Sequence, residues 1–460
     1  MMMTKNFPLR MAVIAVAVAT GGCATLSPTA VPAVPMPAQW HAPAAADAPA
    51  IEAGWWASYG SPDLVALVAA AIEGNPDLAI AIERVRQAEA QAAIAGASLF
   101  PVVSGGLSVS RRDGGSGAPA SQAAAVTFNA SYEVDVWGRI AASIHAAEAA
   151  ARASGYDRHG VELMLVAGVA SAYFQLQSIR ERLEIARQNV AIAERVHQLV
   201  DARARHGAAS GVDVARQRSA ILSQQASIPP LELQQRQALA ALAALIGRPP
   251  QDFDVAAHPI ASIALPQVAP GLPADLLLRR PDLAAAEARL AAANANVVAA
   301  RAALLPGIQL TGSAGLASTA LSALAGAPGL ATSIAASLLQ PIFDGGRLRG
   351  QVAIGESRAR ELLESYRSAV LAALVDVENA LNAIDRRAAQ ESLQQQARDE
   401  AEQALRLAEI RYREGSDALL SVLDAQRALF QAQDQLALAR LARLQSSVDL
   451  YKALGGGWSA

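Results

Sequence analysis

Glu133 and Asp135 sit two apart on the polar face of an alternating stretch, and such a pair of carboxylates suggests general acid–base work. The pattern around them points elsewhere. Val126, Phe128, Ala130, Tyr132, Val134 and Val136 alternate with Thr127, Asn129, Ser131, Glu133 and Asp135. On such a strand the polar side faces water, and the two acids read as a lumen-facing pair near one end of a barrel. Cys23 is the only cysteine, so a disulfide framework and a multi-thiolate metal site are both excluded. The six histidines are scattered with no H-x-x-x-H pair, and no serine lies in G-x-S-x-G. Gly345-Gly346 and Gly455-Gly456-Gly457 lack the strand–helix setting of a phosphate loop. No enzyme constellation emerges, and no cofactor or metal is expected beyond a covalent lipid on Cys23.

That lipid is expected from the start of the chain. Lys5 and Arg10 precede an apolar run, Met11 to Ala19, and Thr20-Gly21-Gly22-Cys23 follows. A charged segment, a short apolar segment and small residues make a secretory signal, too short to span a bilayer as a mature helix. A cysteine directly after the small residues suggests a lipoprotein signal over 1–22 with acylation (palmitate) of Cys23. An ordinary signal cut near Ala24 is the alternative. Residues 23–53 are rich in Ala and Pro and read as a tether.

The elements that must position any function come from an internal duplication. Asn75-Pro76-Asp77-Leu78 matches Arg280-Pro281-Asp282-Leu283, Gly138-Arg139 matches Gly346-Arg347, and Arg203 and Gly207 match Arg411 and Gly415. The repeats occupy 54–250 and 273–458, with a linker over 251–272. In each, a short helix leads from Pro62 or Pro273 to a longer one starting at Pro76 or Pro281. A Gly- and Ser-rich stretch follows. A very long helix is then predicted over 139–206 and 347–414, on the order of 100 Å at 1.5 Å per residue. A glycine ends it, and a second helix returns over 212–246 or 418–454. Leu423, Phe430, Ala437, Leu444 and Tyr451 recur every seven residues, with Gln435 and Asp449 opposite, which implies coiled-coil-like packing. A soluble helical bundle has the same periodicity.

Four strands are expected in two hairpins. Val103 to Ser110 and Val126 to Val136 form the first pair, with a tip at Gly114–Gly117. Ile308 to Ala314 and the less regular Ile334 to Leu339 form the second, with a tip at Ala327–Gly329. Soluble hairpins remain an alternative. A transmembrane helix hairpin over 302–343 is disfavoured, because Pro306, Gly312, Gly315, Gly326, Pro328 and Gly329 leave no apolar run of sufficient length. Four strands cannot close a barrel, and lipid tolerates no open edge, so strands in a membrane require several copies of the chain. Two would supply eight strands and three would supply twelve.

Composition agrees. The 460 residues carry 38 Lys+Arg and 41 Asp+Glu, with no basic block, which argues against nucleic acid as a partner. Hydrophobic residues reach 53% while aromatics reach 4%, so Ala and Leu dominate, as suits long close-packed helices.

The chain resembles TolC-like outer-membrane efflux channels of the OprM/NodT-type lipoprotein branch. The matching segments include Trp55-Trp56-x-x-Tyr59-Gly60-x-Pro62, Tyr132-Glu133-Val134-Asp135-Val136-Trp137-Gly138-Arg139 and Leu245-Ile246-Gly247-Arg248-Pro249-Pro250. Gln340-Pro341-Ile342-Phe343-Asp344-Gly345-Gly346-Arg347, Leu423-Asp424-Ala425-Gln426-Arg427 and Tyr451 to Trp458 continue it in order. The resemblance implies an α+β membrane protein, a homotrimer with a transmembrane β-barrel of four strands per protomer continued by a long α-helical barrel. It also implies a location in the outer membrane with extension into the periplasm. A periplasmic adaptor protein and an inner-membrane pump are implied as partners, and passive export of small toxic compounds or drugs as the function. A duct for protein secretion and a soluble periplasmic coiled-coil scaffold are the alternatives.

By match to the family, the closing constriction falls on Leu420, Asp424 and Arg427. Spacing agrees, since i, i+4 and i+7 share one helix face. A solvated Asp–Arg pair is the plain alternative. Arg216 and Ser219, the corresponding first-repeat positions, lack the pairing. The turns at Arg203–Gly211 and Arg411–Ser416, centred on Gly207 and Gly415, are candidates for adaptor contact or simple caps.

Overall fold

A computed structural model describes residues 35–41, 51–112, 121–319 and 329–458, with 321, 324 and 326 between. Cys23, the signal, most of the tether and both hairpin tips lie outside the described residues, apart from Gly326 and Gly329. The chain divides into two units.

The first unit, over 89–150 and 289–364, holds a sheet of four antiparallel strands in sequence order. These are β1 (Val102–Arg112), β2 (Ser121–Val134), β3 (Gly307–Ser318) and β4 (Gly329–Leu339). Within 302–343, residues 307–318 and 329–339 are therefore strand, not the arms of a helical hairpin. Register carries the period-two pattern across all four strands. Val103 pairs with Ala130, Ala130 with Gly312, and Gly312 with Ile334. Directly opposed residues share a face. One face thus gathers Val103, Leu107, Val109, Val126, Phe128, Leu310, Ile334 and Leu338. The other carries Asn129, Ser131, Gln309, Ser313 and Ser333, where Gln309 Nε2 donates to Ser131 Oγ at 2.7 Å and the Ser313 and Ser333 hydroxyls lie 2.8 Å apart. β2 stops at Val134, so Asp135 is not on the strand as expected. It has a stronger local use: its carboxylate accepts the N–H groups of Ile140 at 3.0 Å and Ala141 at 2.8 Å, at the start of the helix that follows. A carboxylate there satisfies orphan donors and opposes the helix dipole. Glu133 stays on the strand and pairs with Arg139 through Nε at 3.0 Å and Nη2 at 2.6 Å.

The helices follow the predicted plan. α1 is Pro62–Gly74, α2 Pro76–Ala97, α3 Arg139–Arg205, α4 Gly211–Ala226 and α5 Ile228–Leu245. In the second repeat α6 is Leu276–Arg279, α7 Pro281–Ala302, α8 Arg347–Arg413 and α9 Leu419–Ala453. α3 and α8 each run 67 residues. The return helix expected over 212–246 is divided at Ser227, whereas α9 is unbroken. Pro229 and Pro230 explain the division, since each removes a backbone donor and crowds the preceding turn.

The second unit, over 34–88, 151–288 and 365–460, contains the main core. Trp55, Tyr59, Leu64, Val68, Tyr173, Phe174, Leu242, Leu444 and Tyr451 pack together. Trp55 stacks on Tyr451 at 4.5 Å between centroids, and Tyr59 Oη meets Ser447 Oγ at 2.5 Å. Burial pushes the Tyr59 hydroxyl far above its ordinary pKa, so it stays protonated. The heptad stripe is buried at Phe430, Ala437, Leu444 and Tyr451, while Gln435 and Asp449 are exposed. Met36 and Trp40, from the tether, pack with Leu276, Tyr366, Val370 and Leu381, and Trp40 Nε1 donates to the Gly271 carbonyl at 2.9 Å. The linker is laid along α3. Gln177 bonds Ala256 and His258, Arg180 bonds Val255 and Asp254, and Glu181 accepts the Ile260 N–H.

The duplication leaves a matched pair of glycines. Gly247 and Gly455, at φ of 69° and 92°, follow the return helices. A Cβ on Gly247 would lie 2.0 Å from the Gly74 carbonyl oxygen, and one on Gly455 2.0 Å from that of Arg279. Gly455→Ala is expected to cost roughly 2–4 kcal/mol, from the left-handed backbone and the forced backbone shift. Thermal unfolding in detergent checks this. Gly155→Ala, in open space within α3, is the control that should not lower stability.

Candidate functional site

The two turns that end α3 and α8 are built alike. Gly207 N donates to Ala204 O at 3.0 Å and Ala208 N to Arg203 O at 2.8 Å. Gly415 N donates to Tyr412 O at 3.1 Å and Ser416 N to Arg411 O at 3.0 Å. Both glycines are left-handed, at φ of 74° and 75°, which closes a helix without Cβ strain. Each return helix then has an acidic start. Ser210 and Asp213 form a reciprocal capping box on α4. Asp417 accepts from Ala418 N and Ser421 Oγ, both at 2.9 Å, and Arg411 Nε lies 3.5 Å from its other oxygen.

These bonds hold both carboxylates below their ordinary pKa. The Ser210 N–H lowers that of Asp213 most, and the Ser421 hydroxyl that of Asp417. A depressed acid contributes stability above its unfolded pKa and loses it as pH falls through the folded value. The tips are therefore expected to keep their packing from neutral pH through pH 5 and to loosen only in acid, below about pH 4. Amide exchange of 207–216 and 415–423 across that range checks this.

Leu420, Asp424 and Arg427 lie on the outward face of α9. Leu420 is exposed, while its neighbours Leu419, Val422 and Leu429 are buried in the tip core with Val196, Val200, Leu405 and Tyr412. Asp424 Oδ1 stands 3.6 Å from Arg427 Nη1, with side chains 58% and 78% exposed. Two turns of helix thus present an apolar residue, an anion and a cation to whatever faces them.

Arg203 supplies a link that spacing alone did not reveal. Its Nη1 donates to the Tyr412 carbonyl, and its guanidinium carbon sits 4.7 Å over the Tyr412 ring. It joins the ends of α3 and α8 across 209 residues of sequence. The ring is buried, which raises the Tyr412 pKa, and the Arg203 charge partly opposes the rise. A desolvated cation–π pair is worth about 2 kcal/mol, against about 0–1 for an exposed i,i+3 ion pair. Within one protomer, Arg203–Tyr412 is the stronger tie. The available signal was the repeat alignment: the first repeat has Ala204 where the second has Tyr412.

The comparisons with known proteins follow the same plan. The family model for outer membrane efflux proteins matches residues 67–248 and 272–456. The pyoverdine export outer membrane protein OpmQ of Pseudomonas aeruginosa is 43% identical over 436 residues, covering 92% of each chain. The solvent efflux pump outer membrane protein SrpC of Pseudomonas putida is 35% identical, over 95% of this chain and 96% of that one. Among solved structures, the outer-membrane channel OprN superposes with a TM-score of 0.85 at 29% identity, over 93% of this chain and 99% of that one. The open state of the Neisseria gonorrhoeae MtrE outer membrane channel does so with 0.87 at 32% identity, over 95% and 98%. Family match, near-full-length relatives and superposition agree, and the chain belongs to the outer membrane efflux proteins, as a transport channel of the TolC/OprM type.

Proposed function

We propose that the chain is the outer-membrane subunit of a tripartite efflux system, conducting small organic compounds passively from periplasm to exterior. The observation that carries this is the sheet. Its apolar face is exposed on all four strands, and β1 and β4 each have a single neighbour. Such a face suits lipid and such edges require closure with other copies. Three copies would give a twelve-stranded barrel. Leu420, Asp424 and Arg427, repeated around three α9 helices, would form the periplasmic gate. Rings of Asp and Arg would pair between neighbours and open when the Gly207 and Gly415 turns, with Arg411, engage a periplasmic adaptor bound to an inner-membrane pump. Acylation of Cys23 would add an anchor in the outer membrane. For substrate, the greater identity to OpmQ than to the solvent-pump protein favours export of a compound like pyoverdine.

The test is oligomer mass in detergent beside single-channel recording in planar bilayers, with pyoverdine export measured in a Pseudomonas strain lacking its own channel. Trimers with small flickering currents and restored export are expected. A monomer that never inserts would overturn the reading. Trimers that conduct without restoring pyoverdine export would leave the duct and remove the substrate assignment.

A further inference from the structure

Four charged side chains form one connected group where α3, α8 and α9 meet. Arg440 Nη1 lies 3.1 Å from Glu181 Oε1 on α3, and its Nη2 donates to Gln395 Oε1 on α8 at 3.0 Å. Its Nε stands 3.7 Å from Glu391 Oε1, and Arg443 Nη1 donates to the other oxygen of Glu391 at 2.9 Å. The second oxygen of Glu181 accepts the Ile260 N–H of the linker at 3.1 Å. Just beyond, Arg182 Nε donates to Asp434 at 2.6 Å. Glu181, Arg440 and Glu391 are only 19%, 21% and 22% exposed, unlike the open Asp424–Arg427 pair.

The placement is specific. Arg440 and Glu391 each stand 21 or 22 residues from the tip end of their helix, about 30 Å at 1.5 Å per residue. Arg440 continues a heptad face that holds Gln433 and Gln426. Both glutamines have a buried amide atom with no partner, Gln433 Oε1 and Gln426 Nε2, as do Asn189 Oδ1 and His197 Nδ1 on α3. Between the charged group and the tip, α9 therefore carries buried polar atoms without partners at Gln433 and Gln426, and its charged tie to α3 there is Arg182–Asp434, while Arg203–Tyr412 joins α3 to α8 rather than to α9. An unsatisfied buried group lowers the cost of local rearrangement. Above that stretch, a guanidinium bridging two helices tolerates little sliding, because displacement by one turn would strand a half-buried charge.

We propose that Glu181, Arg440 and Glu391 are positioning residues for the gate. They fix the axial register of α8 and α9 against α3 at mid-helix, and through Ile260 against the linker. The tip-ward part of α9 is left as the segment that moves. The inference rests on the reading of Leu420, Asp424 and Arg427 as a gate, and goes beyond it by locating the pivot.

The experiment uses the full chain in detergent and bilayers, with Glu181→Gln, Glu391→Gln and Arg440→Met beside Asp424→Ala/Arg427→Ala. The glutamine variants keep shape and hydrogen-bond acceptors, which guards against the risk that Arg440→Met fails to assemble. Amide exchange of 419–433 is expected to quicken at least fivefold in the glutamine variants. Exchange of 444–453 and oligomer mass should stay unchanged, and large openings should become more frequent by a similar factor. Wild-type exchange and conductance in both glutamine variants would overturn the proposal. So would exchange raised evenly along α9, or loss of the oligomer in all three variants, since either marks a general folding role. If the Asp424/Arg427 variant conducts like wild type while the glutamine variants still quicken exchange, the gate reading fails and the pivot stands.

Discussion

Replacing Asp424 and Arg427 together by alanine is expected to raise closed-state conductance in planar bilayers, by up to about a hundredfold in the ratio of open to closed dwell. The two side chains lie one turn apart on the exposed face of α9, 3.6 Å from each other. In one protomer that pair is nearly free of energetic consequence, because water screens it. In the proposed closed ring of three copies, each Asp would meet a neighbour's Arg. Three pairs at the upper end of about 1 kcal/mol each approach 3 kcal/mol. Each 1.4 kcal/mol is about tenfold in an equilibrium constant, which sets the ceiling. Stability should barely change, since neither side chain is buried. Unchanged conductance at intact oligomer mass would assign the pair to a solvated helix face. Comparing conductance at low and high salt adds a check: screening should open the wild type and leave the double variant unaffected.

Ile334→Lys is expected to abolish membrane insertion, while Ser333→Lys is expected to be tolerated. Ile334 is 94% exposed on the apolar face, opposite Gly312, and Ser333 is on the polar face opposite Ser313. A lysine on the lipid side near mid-membrane costs about 2–4 kcal/mol per copy. Three copies multiply that to about 6–12 kcal/mol, comparable to the whole stability of a typical domain. On the polar side the same lysine meets water and alters only the charge of the lumen. Recovery of protein in the outer-membrane fraction, followed by conductance for whichever variant inserts, separates the faces. Insertion of Ile334→Lys at the wild-type level would mean that this face does not contact lipid.

Much of the architecture was legible in the chain, for a shared reason. The period of two over 126–136 and 308–314, the period of seven from Leu423 to Tyr451 and the glycines at 207 and 415 are all local signals. Each depends on neighbours within a turn or a strand pair, so side-chain direction follows from backbone geometry. The same locality shows in the Pro229-Pro230 division of the return helix, although the helix was expected to run through it. Asp135 marks where local reading failed: alternation continues past Val134, but a carboxylate four residues ahead of a helix start has stronger partners in the helix N–H groups than in a strand face.

By itself, then, the sequence determined the repeats, most of the elements, and the faces they bury or expose. The tertiary structure decided which distant groups meet. Arg203 lies over Tyr412, Trp40 packs beside Leu276, and Arg440 joins Glu181 to Glu391. Periodicity tells which side of a helix a charge occupies, but not how far one helix has slid or turned against another. Axial register is set by the summed packing of whole helices, so pairings across two hundred residues follow only when all of them are in place.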